Sequence, residues 1–110
     1  MQWIQIASTE NIPPGEGRAI FIGDLSLAVF NSGDRFLALE DRCPHSGDSL
    51  ADGTVSGTTV TCPLHHWRIC LETGLVIKPS VEGTPQVRTF SLEVRDGLVM
   101  FDLDSLHAAA

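Results

Sequence analysis

The chain has 110 residues, 43% of them apolar, and a formal net charge of −7. That is one domain's worth of chain, able to bury roughly 60–70% of its unfolded surface. The acidic balance speaks against nucleic acid and against an anionic membrane surface, since both are bound through Lys and Arg, and no apolar run approaches a membrane span.

Taken in order, Trp3 to Ala7 alternates and reads as a first strand. Asn11-Ile12-Pro13-Pro14-Gly15-Glu16-Gly17 is a loop, because Pro and Gly interrupt any ladder. Arg18 to Ile22 and Leu25 to Phe30 form two strands around a Gly23-Asp24 hairpin turn, and Asn31-Ser32-Gly33-Asp34 turns the chain into a strand at Phe36 to Leu39. From Arg42 to about Gly74 lies an insertion with short strands at Val55 and at Thr58 to Val60, and an alternating run from Trp67 to Leu71 before a Thr73-Gly74 turn. Lys78 to Pro85 is a Pro/Gly-rich crossing, Gln86 to Val94 one strand, Asp96-Gly97 a turn and Leu98 to Leu103 the last strand, with a frayed end from Asp104. No helical period is sustained. The pattern predicts an all-β fold, an antiparallel sandwich or partly open barrel over residues 1–104, with an inserted subdomain at about 42–74 and a flexible tail at 105–110.

Two motifs inside the insertion carry chemistry: Cys43-Pro44-His45 and Cys62-Pro63-Leu64-His65, with sixteen residues between His45 and Cys62. C-x-H followed at this distance by C-x-x-H is the ligand set of a Rieske [2Fe–2S] cluster, in which two thiolates hold one iron and two imidazoles the other. A thiolate stabilises ferric iron, while a neutral imidazole donates less charge and makes its iron easier to reduce. The competing reading is a zinc-stabilised binding module with Cys62 and His65 as half its site, although C-x-H is tight for one tetrahedral ion. Pro44 and Pro63 stiffen the loops, and Gly47 provides backbone freedom. His66 reads as a solvated loop residue and Cys70 as a small core residue, while Trp67 either shields the cluster or packs in the subdomain core. Asp48 and Asp52 do not make an acid/base pair, and no nucleophile triad or phosphate loop is present, so no catalytic residue is expected. Three cysteines, two of them candidate ligands, make no disulfide framework and suit a reducing cytoplasm; the opening Met1-Gln2-Trp3-Ile4-Gln5 has no signal-peptide character.

Over nearly its full length the chain resembles soluble Rieske ferredoxin-like domains. Within that group it is most similar to the small subunit of assimilatory NAD(P)H-dependent nitrite reductase. The similarity lies in Ala38 to His45, Asp52 to Gly57, Val60 to His65, Trp67 to Gly74 and Val87 to Phe90. It departs at Gly47-Asp48-Ser49-Leu50, where Gly-Gly-Pro-Leu is more usual, and at His66, where Gly or Asn is. The resemblance implies one Rieske [2Fe–2S] cluster per chain on Cys43, His45, Cys62 and His65. It also implies an electron-transfer subunit whose large partner, carrying flavin and siroheme, reduces nitrite to ammonia in nitrate assimilation. The alternative it implies is a freestanding ferredoxin of an aromatic-ring-hydroxylating dioxygenase, partnered by an oxygenase and a flavin reductase. High-potential relatives carry a disulfide between the loops and Ser and Tyr hydroxyls at the cluster. This chain has no Tyr, and places Trp67 and Leu64 at the Ser and Cys positions. With fewer hydrogen bonds to sulfur, the expected potential is nearer about −150 mV than about +300 mV.

Overall fold

The computed structural model describes residues 2–43, 49–63, 66–78 and 86–107. Its strands are β1 (Trp3–Ser8), β2 (Gly17–Ile22), β3 (Leu25–Asn31), β4 (Phe36–Glu40), β5 (Thr54–Ser56), β6 (Thr59–Thr61), β7 (Arg68–Cys70), β8 (Val76–Lys78), β9 (Thr89–Phe90), β10 (Leu92–Arg95) and β11 (Leu98–Asp102). They form three antiparallel sheets, ordered β1-β11-β10, β2-β3-β4-β9 and β5-β6-β7-β8. The only helical elements among the described residues are short 3-10 turns at Thr9–Asn11, Leu50–Asp52 and Leu103–His107, and no helix there is long and apolar enough to cross a membrane. The all-β reading therefore holds.

The middle sheet organises the molecule. Leu27, Ala28, Val29 and Phe30 of β3 are all fully buried, which a strand can be only if both its faces are covered. Alternation then sends successive side chains to opposite sides. Leu27 and Val29 join Ile12, Ala38, Phe90, Val99 and Phe101 in a core shared with the β1-β11-β10 sheet. Ala28 and Phe30 face the other way, into a core with Leu39, Cys43, Leu50, Val60, Cys62, Ile69, Leu71 and Val87. The second core belongs largely to the inserted segment.

Tight turns make this economy of chain possible. Ile22 pairs with Leu25 around Gly23-Asp24, and Arg95 pairs with Leu98 around Asp96-Gly97. Asp96 and Gly97 have φ of 51° and 76°, the two left-handed residues that a type I′ hairpin requires.

Three expectations are corrected. The run from Gln86 to Val94 is two strands: Phe90 pairs with Ala38 in the middle sheet, whereas Leu92 pairs with Phe101 in the outer one. The chain changes sheet at Ser91, and because Phe90 and Leu92 both still face the base core, the alternation does not register the corner. Val76–Lys78, of which the sequence pattern assigns only Lys78, to the crossing that starts there, is the fourth strand of the small sheet. It is a three-residue edge strand in which only Val76 packs against the core and Ile77 is exposed, too short to show a strand period. Regular structure does not stop at Asp104: residues through His107 form a 3-10 turn, with the Ser105 hydroxyl donating to the Asp102 carbonyl at 2.6 Å and Arg88 donating to the Ser105 carbonyl at 3.0 Å, while residues 108–110 of the expected tail lie outside the described residues.

Candidate metal centre

Loop one leaves β4 under firm control. The Glu40 N–H donates to the Arg88 carbonyl at 2.8 Å and the Asp41 N–H to the Ser26 carbonyl at 2.9 Å. Cys43 follows, 1% exposed. The chain returns at the 3-10 turn Leu50–Asp52, whose Leu50 and Ala51 are buried in the same core as Cys43. The half-buried Asp41 carboxylate spans the two ends. It accepts from the Ser49 hydroxyl at 2.9 and 2.8 Å, from the Ala51 N–H at 2.9 Å and from the Ser26 hydroxyl at 3.4 Å.

Loop two closes the hairpin of β6 and β7. The Cys62 N–H donates to the Trp67 carbonyl at 2.7 Å, and the His66 N–H donates back to the Cys62 carbonyl at 3.0 Å. Cys62 is 0% exposed. His66 has φ of 57°, a left-handed conformation that Gly and Asn adopt with least cost. His66, which is exposed, therefore carries a backbone cost that the Gly or Asn expected there from the family resemblance would reduce.

The two cysteines are thus brought to one core from two loops, and neither is in a disulfide. Two buried thiols in one core are a donor set suited to a soft, thiolate-binding metal group. Their sequence partners His45 and His65 lie outside the described residues, as do Pro44, Gly47, Asp48 and Leu64. Trp67 packs, partly buried, against this core, so of its two sequence readings the packing one holds. Asp52 is exposed on the 3-10 turn. Cys70 is not a core residue: on β7 it is Ile69 that is fully buried, while Arg68 and Cys70 turn outward. Burial pushes the Cys70 thiol up, but hydrogen bonds from the Thr73 side chain and from the Thr73 and Glu72 backbone outweigh it and set the thiol below its ordinary value.

The small sheet is docked to the rest by its last turn. The Gly74 N–H donates to the Cys70 carbonyl and the Val87 N–H to the Gly74 carbonyl, both at 2.8 Å. Gln86 donates its side-chain amide to the Thr73 carbonyl, and Arg35 pairs with Glu72 at 2.8 Å.

Residues 2–91 match the Rieske [2Fe-2S] domain. The chain belongs to that family. Its cofactor is accordingly a Rieske-type [2Fe–2S] cluster, and the buried thiol pair fits it. The chain is 34% identical over 109 residues to the biphenyl dioxygenase ferredoxin subunit of Pseudomonas sp. (strain KKS102), covering 98% of this chain and 100% of that one. Among solved structures it is similar to the ferredoxin in a complex of reduced oxygenase and oxidised ferredoxin of carbazole 1,9a-dioxygenase. That likeness has a TM-score of 0.78 and 33% identity, and covers 90% of this chain and 91% of the other. A protein named only by inference as a nitrite reductase NADPH (small subunit) oxidoreductase superposes with a TM-score of 0.80 over 93% of this chain and 99% of that chain, at 18% identity, a likeness of fold. As a Rieske [2Fe–2S] protein, the chain transfers electrons.

Proposed function

We propose that this protein is the Rieske ferredoxin component of an aromatic-ring-hydroxylating dioxygenase, carrying electrons from a flavin reductase to an oxygenase. Cys43 and Cys62 are the thiolate ligands of one iron, and His45 and His65 the imidazole ligands of the other. Residues 1–104 act as one domain whose segment at about 42–74 holds the cluster. The observation that carries this reading is the end-to-end likeness to a dioxygenase ferredoxin subunit, at 34% identity over 98% of this chain. It outweighs the nitrite reductase subunit suggested by Trp67 and Leu71-Glu72-Thr73-Gly74, for which the superposed neighbour shares 18% of its residues.

The bound cluster supplies one-electron chemistry. The chain's own part is to keep both thiols out of water and to hold the two loops at fixed geometry. The test is reconstitution. The purified protein is combined with NADH, a flavin reductase and a ring-hydroxylating oxygenase, and separately with the large subunit of a siroheme nitrite reductase. Ferredoxin-dependent ring dihydroxylation is the expected result, after a red-brown spectrum and a rhombic reduced EPR signal. Dependence of nitrite reduction on this chain, with no effect on the oxygenase, would replace the reading by the nitrite reductase one. A colourless protein with stoichiometric zinc would overturn both.

A further inference from the structure

The two cluster loops are closed by different means. Loop two is the end of a hairpin, so ladder and turn hydrogen bonds of the backbone bring Cys62 and Trp67 together. Loop one leaves from β4 in the middle sheet and returns to a 3-10 turn rather than to a paired strand. Among the described residues no β-ladder joins its two ends. A side chain stands where the ladder would be. The Asp41 carboxylate takes the Ser49 hydroxyl and the Ala51 N–H on the returning side. Its own N–H is tied to the Ser26 carbonyl of β3. One residue therefore joins three segments: the middle sheet, the chain that runs two residues on to Cys43, and the chain that comes back.

The chemistry suits a clamp. The side chain presents two oxygens, and these take the Ser49 hydroxyl and the Ala51 N–H together. Both main donors come from the returning segment, so each bond resists the same motion, the opening of the loop. Leu50 and Ala51, buried beside Cys43 in the core, hold that segment from beneath while Asp41 holds it from the side.

We propose that Asp41 is a positioning residue for the cluster: it fixes the span of loop one so that Cys43 is presented to the iron in one geometry and is kept there when the cluster changes charge. The inference rests on the ligand role of Cys43 proposed above. A site held loosely loses its metal more readily and distorts its electronic structure, and supporting residues typically account for about 10–100-fold in metal retention.

The test compares Asp41→Ala, Asp41→Asn and Ser49→Ala in the cluster-loaded full chain. The readouts are the rate of cluster bleaching by a chelator, the reduced EPR spectrum and the midpoint potential. Asp41→Ala is expected to bleach at least ~10-fold faster, with shifted or broadened EPR features and a displaced potential. Asn can accept from the Ala51 N–H with its oxygen and donate to the Ser49 hydroxyl with its nitrogen, so Asp41→Asn should restore most of the lifetime and the EPR line shape. Ser49→Ala, which removes the hydroxyl bonds alone, should fall between, and it decides the matter if Asp41→Ala does not fold. Variants that lower the melting temperature but keep wild-type bleaching, EPR and potential would show that Asp41 only stabilises the fold, and would overturn the inference. Wild-type protein without a Rieske spectrum would instead refute the cluster reading on which it rests.

Discussion

Replacing Gly74 by Ala should be among the most damaging single-methyl additions this chain can receive, and the structure gives the parts of the cost. Gly74 has φ of +75°, and a Cβ there would run into the Val87 carbonyl oxygen far inside van der Waals contact. Adopting a left-handed conformation costs an L-residue about 1–2 kcal/mol. Pushing Val87 away strains or breaks the bond from its N–H to the Gly74 carbonyl, worth about 1 kcal/mol. It also disturbs a side chain only 5% exposed, for which overpacking costs about 1–3 kcal/mol. The stiffer unfolded chain returns about 0.4–1 kcal/mol. The net loss is about 3 kcal/mol, or roughly 10–15 °C in the melting temperature of a chain this size. Gly97 provides a matched control. Its φ of +76° is nearly the same, but the nearest atom to its Cβ is the Thr9 hydroxyl oxygen at 3.9 Å. Gly97→Ala should therefore show the conformational cost alone, about 1 kcal/mol. Thermal melts of the two cluster-loaded variants at one scan rate measure the difference. Because Val87 shares a core with Cys43 and Cys62, Gly74→Ala should also bleach faster than Gly97→Ala. Equal melting temperatures would show that the contact between the Thr73-Gly74 turn and Val87 does not hold the small sheet in place.

Two further outcomes follow from local geometry. His66→Gly should raise stability by about 0.5–1 kcal/mol, since glycine removes the cost of the left-handed backbone and keeps the N–H bond to the Cys62 carbonyl; a lower melting temperature would mean that the exposed imidazole contributes more than its backbone strain costs. Thr73→Val should slow alkylation of Cys70 near neutral pH and move its pH–rate profile upward. The Thr73 side chain and the Thr73 and Glu72 backbone favour the thiolate against the opposing effect of burial, so removing the hydroxyl returns the thiol toward its ordinary value. Mass spectrometry of iodoacetamide-treated protein reads this directly, because Cys43 and Cys62 are buried and Cys70 is partly exposed, and an unchanged profile would refute it.

What could be read in the sequence was what repeats or what chemistry constrains locally. The Ile4 and Ile6 alternation placed β1, although its bulge near Gln5–Ala7 went unread, and Asp96-Gly97 announced its hairpin through the two left-handed residues it needs. The paired Cys and His motifs pointed to the family match, because a cluster limits both ligand type and spacing. The corner at Ser91 was invisible because a strand that changes sheet without changing its buried side keeps its period. Val76–Lys78 was invisible because a three-residue edge strand that turns only Val76 toward the core, and leaves Ile77 exposed, is too short to show a period. Asp41 was missed for a different reason. Its partners are a hydroxyl eight residues away and a backbone N–H ten residues away, and a backbone donor leaves no mark in a sequence. The one available signal was a carboxylate two residues before Cys43, the first cysteine of the paired motifs, with Ser49 eight residues further on. His66 did leave a signal: a position where Gly and Asn are usual is a position of positive φ, and the departure could have been read as strain.

The middle sheet explains why cluster binding and folding are expected to be one process here. Cys43 and Cys62 are buried in a core that also contains Phe30, Leu39 and Leu71. Phe30 and Leu39 stand on β3 and β4, whose neighbouring residues Val29 and Ala38 line the base core on the opposite face. A disturbance at the thiols reaches the base through a single layer of backbone, with no linker to absorb it. The base core has its own aromatic anchor, Phe90 against Phe101 with ring centroids 5.7 Å apart, and Phe90 is carried by the strand that also pairs with β4. The layer that supports the cluster loops is therefore pinned from behind by contacts the cluster never touches. Rigidity of that kind suits electron transfer, because a site that holds its geometry through a change of charge needs little rearrangement at each step.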